Sequence, residues 1–184
     1  MENCQKNLRM KFDVKTVGAN TKDYWEAAHK RSIVEWGRYD GLVLEQIVQQ
    51  NWWNYTWVIE DIKKIKNSLV LKSVLDVGCS PNKCLVYYAE KNPDIHFTGI
   101  DFTDAIIEYG KQIELKNIEF KKLDFLQQPI PYIYGAIMIM ETLEHIEPIT
   151  NFKLVDELLN KCEYLYISVP TDSGSNSGEH ISSY

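Results

Sequence analysis

The sequence predicts an α/β fold, a mostly parallel sheet with helices on both faces that follows a helical N-terminal extension. Three observations carry this reading. From Ser73 onward short apolar runs alternate with helical stretches, the pattern of βαβ units. All five tryptophans stand before Ser68, in a region without apolar runs of the buried-strand kind. The run VLDVGCSPN, residues 74–82, joins a buried strand to a tight turn of small residues and then to a helix.

Residues 1–68 are expected to form a helical, aromatic-rich lid and residues 69–184 the α/β core. In the first part, segments 24–33, 41–50 and 55–65 space their apolar residues by three and four, as at Leu42, Leu44, Ile47 and Val48, and are predicted helices. Residues 1–20 have no periodicity. In the core the predicted strands are 73–77, 95–100, 118–122, 135–140 and 164–169, and the helices between them 82–91, 104–115 and 151–161. The last of these helices is expected to bury Phe152, Val155, Leu158 and Leu159 on one face. Residues 171–184, rich in Ser and Gly, read as a loop.

With 184 residues, 45% of them apolar, the chain is sized for one domain with a sizeable core. A net charge of -6 argues against nucleic acid as a partner, since binding to phosphate backbones rests on many Lys and Arg. A local basic groove is still compatible with it. The polar N-terminus lacks a signal-peptide core and no stretch reaches bilayer length, so the expectation is a cytoplasmic protein without membrane insertion. Cys4, Cys79, Cys84 and Cys162 form no CxxC pair and read as free thiols.

The chemistry begins at the turn. Gly78 lets backbone approach a ligand closely, and Ser80 is expected to cap the following helix with Pro81 at its first position. Asp101 directly follows the second predicted strand, 23 positions after Gly78. Ends of neighbouring parallel strands lie side by side, so its carboxylate can accept both hydroxyls of a ribose; the plainer alternative is a cap for the helix starting near Thr103. Leu123, Asp124 and Phe125 follow the third strand, where Asp124 faces either a ligand or solvent.

The order and spacing of these residues resemble the class I, Rossmann-like S-adenosylmethionine-dependent methyltransferases, whose turn usually reads D-x-G-C-G-x-G. Asp76, Gly78 and Cys79 match it, whereas Ser80 and Asn82 stand at the second and third glycines. The resemblance implies that Asp76 orients the methionine ammonium and that Gly78, Cys79 and Ser80 line the cofactor. It further implies that Asp101, with Phe102, meets the ribose, that Asp124 and Phe125 meet the adenine, and that Met140 is a further cofactor contact. An acidic Asp76 suits a ligand bearing an ammonium and a sulfonium, and would oppose a pyrophosphate.

The fourth strand runs into METLEH, residues 140–145. If a helical turn starts at Glu141, then Glu141, Glu144 and His145 stand at i, i+3 and i+4 and can converge on Mg or Mn. The segment is similar to that of the ubiquinone-biosynthesis O-methyltransferases and, more weakly, to that of the enzymes that methylate the terminal 2'-hydroxyl of small RNAs. In the RNA enzymes a distant histidine completes the metal site, a part only His180 can take here. Two alternatives stay open: a metal-free pocket in which His145 is a general base supported by Glu144, and a purely structural role. Gly135 stands where relatives often begin the strand with Phe-Asp, a departure expected to bear on stability.

In similar enzymes the N-terminal region covers cofactor and substrate, and Tyr24, Trp25 and Tyr39 are the candidate pocket contacts; hydrophobic packing is the plainer role for each. The family's full domain continues beyond the fifth strand to strands six and seven, which do not fit before Tyr184, so the chain is expected to be a fragment of a longer enzyme. The expected activity is transfer of a methyl group from S-adenosylmethionine to an oxygen or nitrogen of a small-molecule acceptor. The alternatives are a divalent-metal-assisted RNA 2'-O-methyltransferase and an inactive cofactor-binding or scaffold subunit.

Overall fold

The computed structural model describes residues 21–35, 58, 61, 62, 64, 71–81 and 83–169. The predicted helix 41–50, Tyr39, Asn82, His180 and segment 171–184 lie outside these residues. In chain order the elements are helix α1 (Lys22–Glu35), strand β1 (Ser73–Val77), helix α2 (Lys83–Lys91), β2 (His96–Asp101), α3 (Ala105–Gly110), β3 (Ile118–Lys122), β4 (Tyr134–Met140), α4 (Pro148–Leu159) and β5 (Cys162–Ser168). A 3-10 turn, Leu143–His145, follows β4. Val58, Asp61, Ile62 and Lys64 are helical, in agreement with the predicted helix 55–65.

The five strands form one sheet in the order β3-β2-β1-β4-β5, with every pairing parallel. Alternation along the strands feeds two cores. Val74, Phe97, Ala136 and Met138 face one side together with Leu85, Tyr88 and Ile106 of α2 and α3. Leu75, Val77, Ile137 and Ile139 face the other, under Leu154 and Leu158 of α4. Each such fully buried aliphatic contributes about 1.5–3 kcal/mol, so the sheet is fixed from both faces. The chain winds outward from β1 to β3 and then returns to β4 on the other side of β1. The strand order reverses there, and a crevice opens at the carboxyl ends of β1 and β4.

Three expectations need correction. Helix α3 ends at Gly110 instead of reaching residue 115; Phe120 on β3 packs so close to Gly110 that a Cβ there would stand 3.0 Å from Phe120 Cβ and 3.3 Å from its ring. Helix α4 starts at Pro148, whose fixed φ suits a first helical position, and it buries Asn151, Leu154 and Leu158. Phe152 (77% exposed) and Leu159 (58%) lie on its outer face, so the buried stripe is rotated from the one expected. Ser80 is not a helix cap: α2 begins at Lys83, and Ser80 takes φ 43°, the left-handed conformation that a glycine would supply. Gly135 has a packing reason, because a Cβ there would meet Leu71 Cδ1 at 2.8 Å.

Candidate active site

A cavity of about 460 Å³ opens at the carboxyl ends of β1 to β4, within the size range of small-molecule sites. Its floor is the turn after β1. Gly78 adopts φ 70°, and a Cβ there would lie 2.6 Å from Thr142 Cγ2, so the turns after β1 and β4 can meet only over a glycine. The Gly78 and Cys79 amides donate to Ile100 O at 2.9 and 3.0 Å, which locks the turn onto the end of β2. Gly78, Cys79, Ser80, Asp101, Phe102, Asp124, Phe125 and Met140 all line the cavity.

Asp76 does not line it. By strand alternation its side chain shares the face of Val74, next to Cys84 and Tyr88, and it is buried behind the turn. Burial and, after it, the Asp101 carboxylate push Asp76 up to about 8. Asp101 combines the two roles open to it. Its Oδ1 accepts from Thr103 N at 2.9 Å and Thr103 Oγ1 at 2.8 Å, the local capping pattern, while Oδ2 is turned to Ser80 N at 3.3 Å. Asp124 is exposed, and its Oδ1 accepts from Leu126 N at 3.2 Å.

On the other side of the cavity stands the segment after β4. Glu141 takes φ 50°, and its Oε1 accepts from Ser168 Oγ at 2.6 Å. The turn therefore starts at Leu143, two residues later than the metal arrangement needs, and Glu141, Glu144 and His145 do not share one face. Among the described residues no three His, Cys, Asp or Glu side chains group so as to hold a metal ion. The expected Mg or Mn ligand set is thus not formed by the three of its members that are described, His180 being outside them. Glu144 is 2% exposed, and burial pushes its carboxyl up to about 7, with the Glu141 charge adding to the rise. Its Oε1 lies 3.7 Å from His145 Nε2. Asn151 Nδ2 donates to Leu143 O at 2.9 Å and Ile146 O at 3.2 Å, so α4 clamps the turn that carries His145.

Helix α1 forms the roof. The Trp25 ring meets His145 edge-on at 4.8 Å between centroids and His29 at 5.8 Å. Trp25 lines the cavity as expected, but Tyr24 does not: it is buried and backs Trp25 edge-on at 5.1 Å.

Residues 69–167, more than half of the chain, match the family described as "Methyltransferase domain". The chain belongs to this family. Over 85 residues the methyltransferase domain is 32% identical to (S)-tetrahydroprotoberberine N-methyltransferase of Eschscholzia californica, a match covering 44% of this chain and 24% of that relative. The chain thus spans about a quarter of the length of that curated relative. Its fold is similar to the crystal structure of magnesium protoporphyrin IX methyltransferase from Synechocystis PCC 6803 with bound SAH, with a TM-score of 0.58 and 15% identity over 78% of this chain and 68% of that one. It is similar too to coclaurine N-methyltransferase bound to N-methylheliamine and SAH, with a TM-score of 0.52 and 19% identity over 67% of this chain and 40% of that one. The class I, Rossmann-like methyltransferase fold expected from the sequence is therefore correct.

The domain also uses residues that sequence reasoning missed. His29, Lys22 and Thr142 line the cavity, Glu26 anchors α1, and Asn151 holds the His145 turn. His29 follows Trp25 by one helical turn, the only sign in the sequence that the two share a face. Among the described residues no helix is long and apolar enough to cross a membrane.

Proposed function

We propose that this domain transfers a methyl group from S-adenosylmethionine to a small-molecule acceptor, and that the reacting atom of the acceptor is an amine nitrogen. The carrying observation is that one cavity joins a small-residue turn and two strand-end carboxylates, Asp101 and Asp124, to an imidazole, His145, under a tryptophan. The residues fit the cofactor. Asp101 Oδ2 is available to ribose hydroxyls, Phe125 and Phe102 offer apolar faces, and the turn brings bare backbone to the ligand. Asp76, held protonated by burial beside the Asp101 carboxylate, would ionise more readily with a cationic ammonium or sulfonium close by. Asp124 and Met140 complete the cavity wall and would be among the residues that hold the cofactor. When bound, S-adenosylmethionine would supply a methyl carbon activated by its sulfonium, the methyl–sulfur bond breaking with its electron pair left on sulfur to give the neutral thioether S-adenosylhomocysteine.

An amine acceptor must lose a proton before or as its nitrogen lone pair forms the new C–N bond. His145 is the group that takes this proton, and an ionised Glu144 beside it stabilises the imidazolium. Trp25 offers a π-face suited to a cationic amine before deprotonation. Helix α1, within the expected lid region, covers the cavity from above through Lys22, Trp25, Ala28, His29 and Ser32. The N-methyltransferase names of the relatives support nitrogen over oxygen. The test is transfer of labelled methyl from S-adenosylmethionine by the full chain to a panel of cyclic secondary amines and of phenols. Labelling of amines is expected; labelling of phenols alone would move the reacting atom to oxygen, and binding without any transfer would favour a cofactor-binding subunit.

A further inference from the structure

Helix α1 reaches the ribose end of the site through a chain of hydrogen bonds. His29, Thr103 and Asp101 are all buried, at 7%, 0% and 3% exposure. Thr103 Oγ1 donates its single hydrogen to Asp101 Oδ1 at 2.8 Å, so only its lone pairs remain for His29 Nδ1 at 2.9 Å. His29 is therefore the Nδ1–H tautomer, donating to Thr103. Burial lowers its pKa below the usual histidine value, with Asp101 and Glu26 opposing, so the ring is neutral at pH 7 and its donor is not a charge. The Thr103 amide occupies the same Oδ1 at 2.9 Å, which leaves Oδ2 as the oxygen facing the turn at Ser80. A second link runs in parallel, since Glu26 Oε2 accepts from the Asp104 amide at 2.6 Å.

We propose that His29 is a positioning residue for Asp101: through Thr103 it fixes Oδ1 and holds Oδ2 toward the cavity, so that docking of α1 and recognition of the ligand's ribose hydroxyls are one event. The inference rests on the cofactor reading above. A freely rotating carboxylate has to give up orientational freedom when it accepts from a diol, whereas one already held by two donors on its other oxygen does not. His29 and Thr103 stand 74 positions apart, so only the folded roof can supply the donor.

The experiment compares calorimetric binding of S-adenosylhomocysteine and its 2',3'-dideoxy form to the full chain and its variants. His29→Leu removes the donor, His29→Asn returns an amide N–H near the place of Nδ1–H, and Thr103→Val and Thr103→Ser break and keep the hydroxyl. His29→Leu and Thr103→Val are expected to weaken S-adenosylhomocysteine about tenfold and the dideoxy form less than twofold, with the Asn and Ser variants within about threefold of wild type. Equal weakening of both ligands, or none, with wild-type binding intact, would overturn the positioning role and leave the cofactor reading standing. If the wild type binds neither ligand, the cofactor reading itself falls and takes this inference with it.

Discussion

The floor of the cavity and its roof are held by different forces. The turn at Gly78–Ser80 continues a strand that is flanked on both sides, whose Val74, Leu75 and Val77 are wholly buried, and whose amides are tied to β2. Helix α1 has no strong apolar stripe; it is attached by Glu26, His29 and the ring of Trp25, each reaching a residue far away in sequence. Nonpolar burial sets the first region, whereas in the second, among the described residues, only Tyr24 and Ile33 add apolar packing to a few pairwise contacts. It follows that changes in the roof should alter chemistry and ligand affinity at little cost in stability, and changes in the floor should alter stability as well.

The largest effect is expected where roof and β4 turn meet. His145→Ala should lower the rate of methyl transfer by roughly 10²- to 10⁴-fold while S-adenosylhomocysteine affinity stays within about twofold, since the imidazole acts on the acceptor. Steady-state kinetics and calorimetry separate the two; a parallel loss of cofactor affinity would merge the halves of the site. In the floor, Gly78→Ala faces both a positive φ and a 2.6 Å approach to Thr142. It should cost about 2–3 kcal/mol in chemical denaturation and weaken the cofactor as well.

A pH test reads the floor's buried carboxyl. Asp76 is raised from 3.8 to about 8 on folding, so the native state holds a proton that the unfolded chain gives up earlier. Its penalty is absent below pH about 4, grows as pH rises, and is complete above about 8. Asp76→Asn should therefore gain stability relative to wild type across this window, on the order of 4 kcal/mol between pH 5 and 8, as urea denaturation at those two values would show. A flat difference would place Asp76 in contact with solvent. Last, Ser80→Gly should stabilise the fold by about 1 kcal/mol, because Ser80 already holds a glycine's conformation at φ 43°. An unchanged midpoint would mean that the greater freedom of glycine in the unfolded chain offsets the relief of strain.

The same contrast explains what could be read in advance. The strands and the cofactor side were legible because burial writes itself as apolar runs, and because a ligand-hugging turn needs small residues at fixed places such as Gly78. Strand ends shifted by a residue or two, and α4 rotated, because Pro148 and Asn151 answer to local geometry and to the turn they clamp. The convergence of Glu141 with Glu144 and His145 failed on a single torsion, the φ of 50° at Glu141, which periodicity does not encode. His29 left no local signal at all, since its partner is 74 residues away.

The most direct test of the central claim is titration calorimetry of the full chain with S-adenosylhomocysteine at pH 7. The account predicts saturable one-to-one binding that Asp101→Ala weakens by at least tenfold and His145→Ala leaves nearly unchanged. Folded protein that takes up no ligand, or binding indifferent to Asp101, would contradict it.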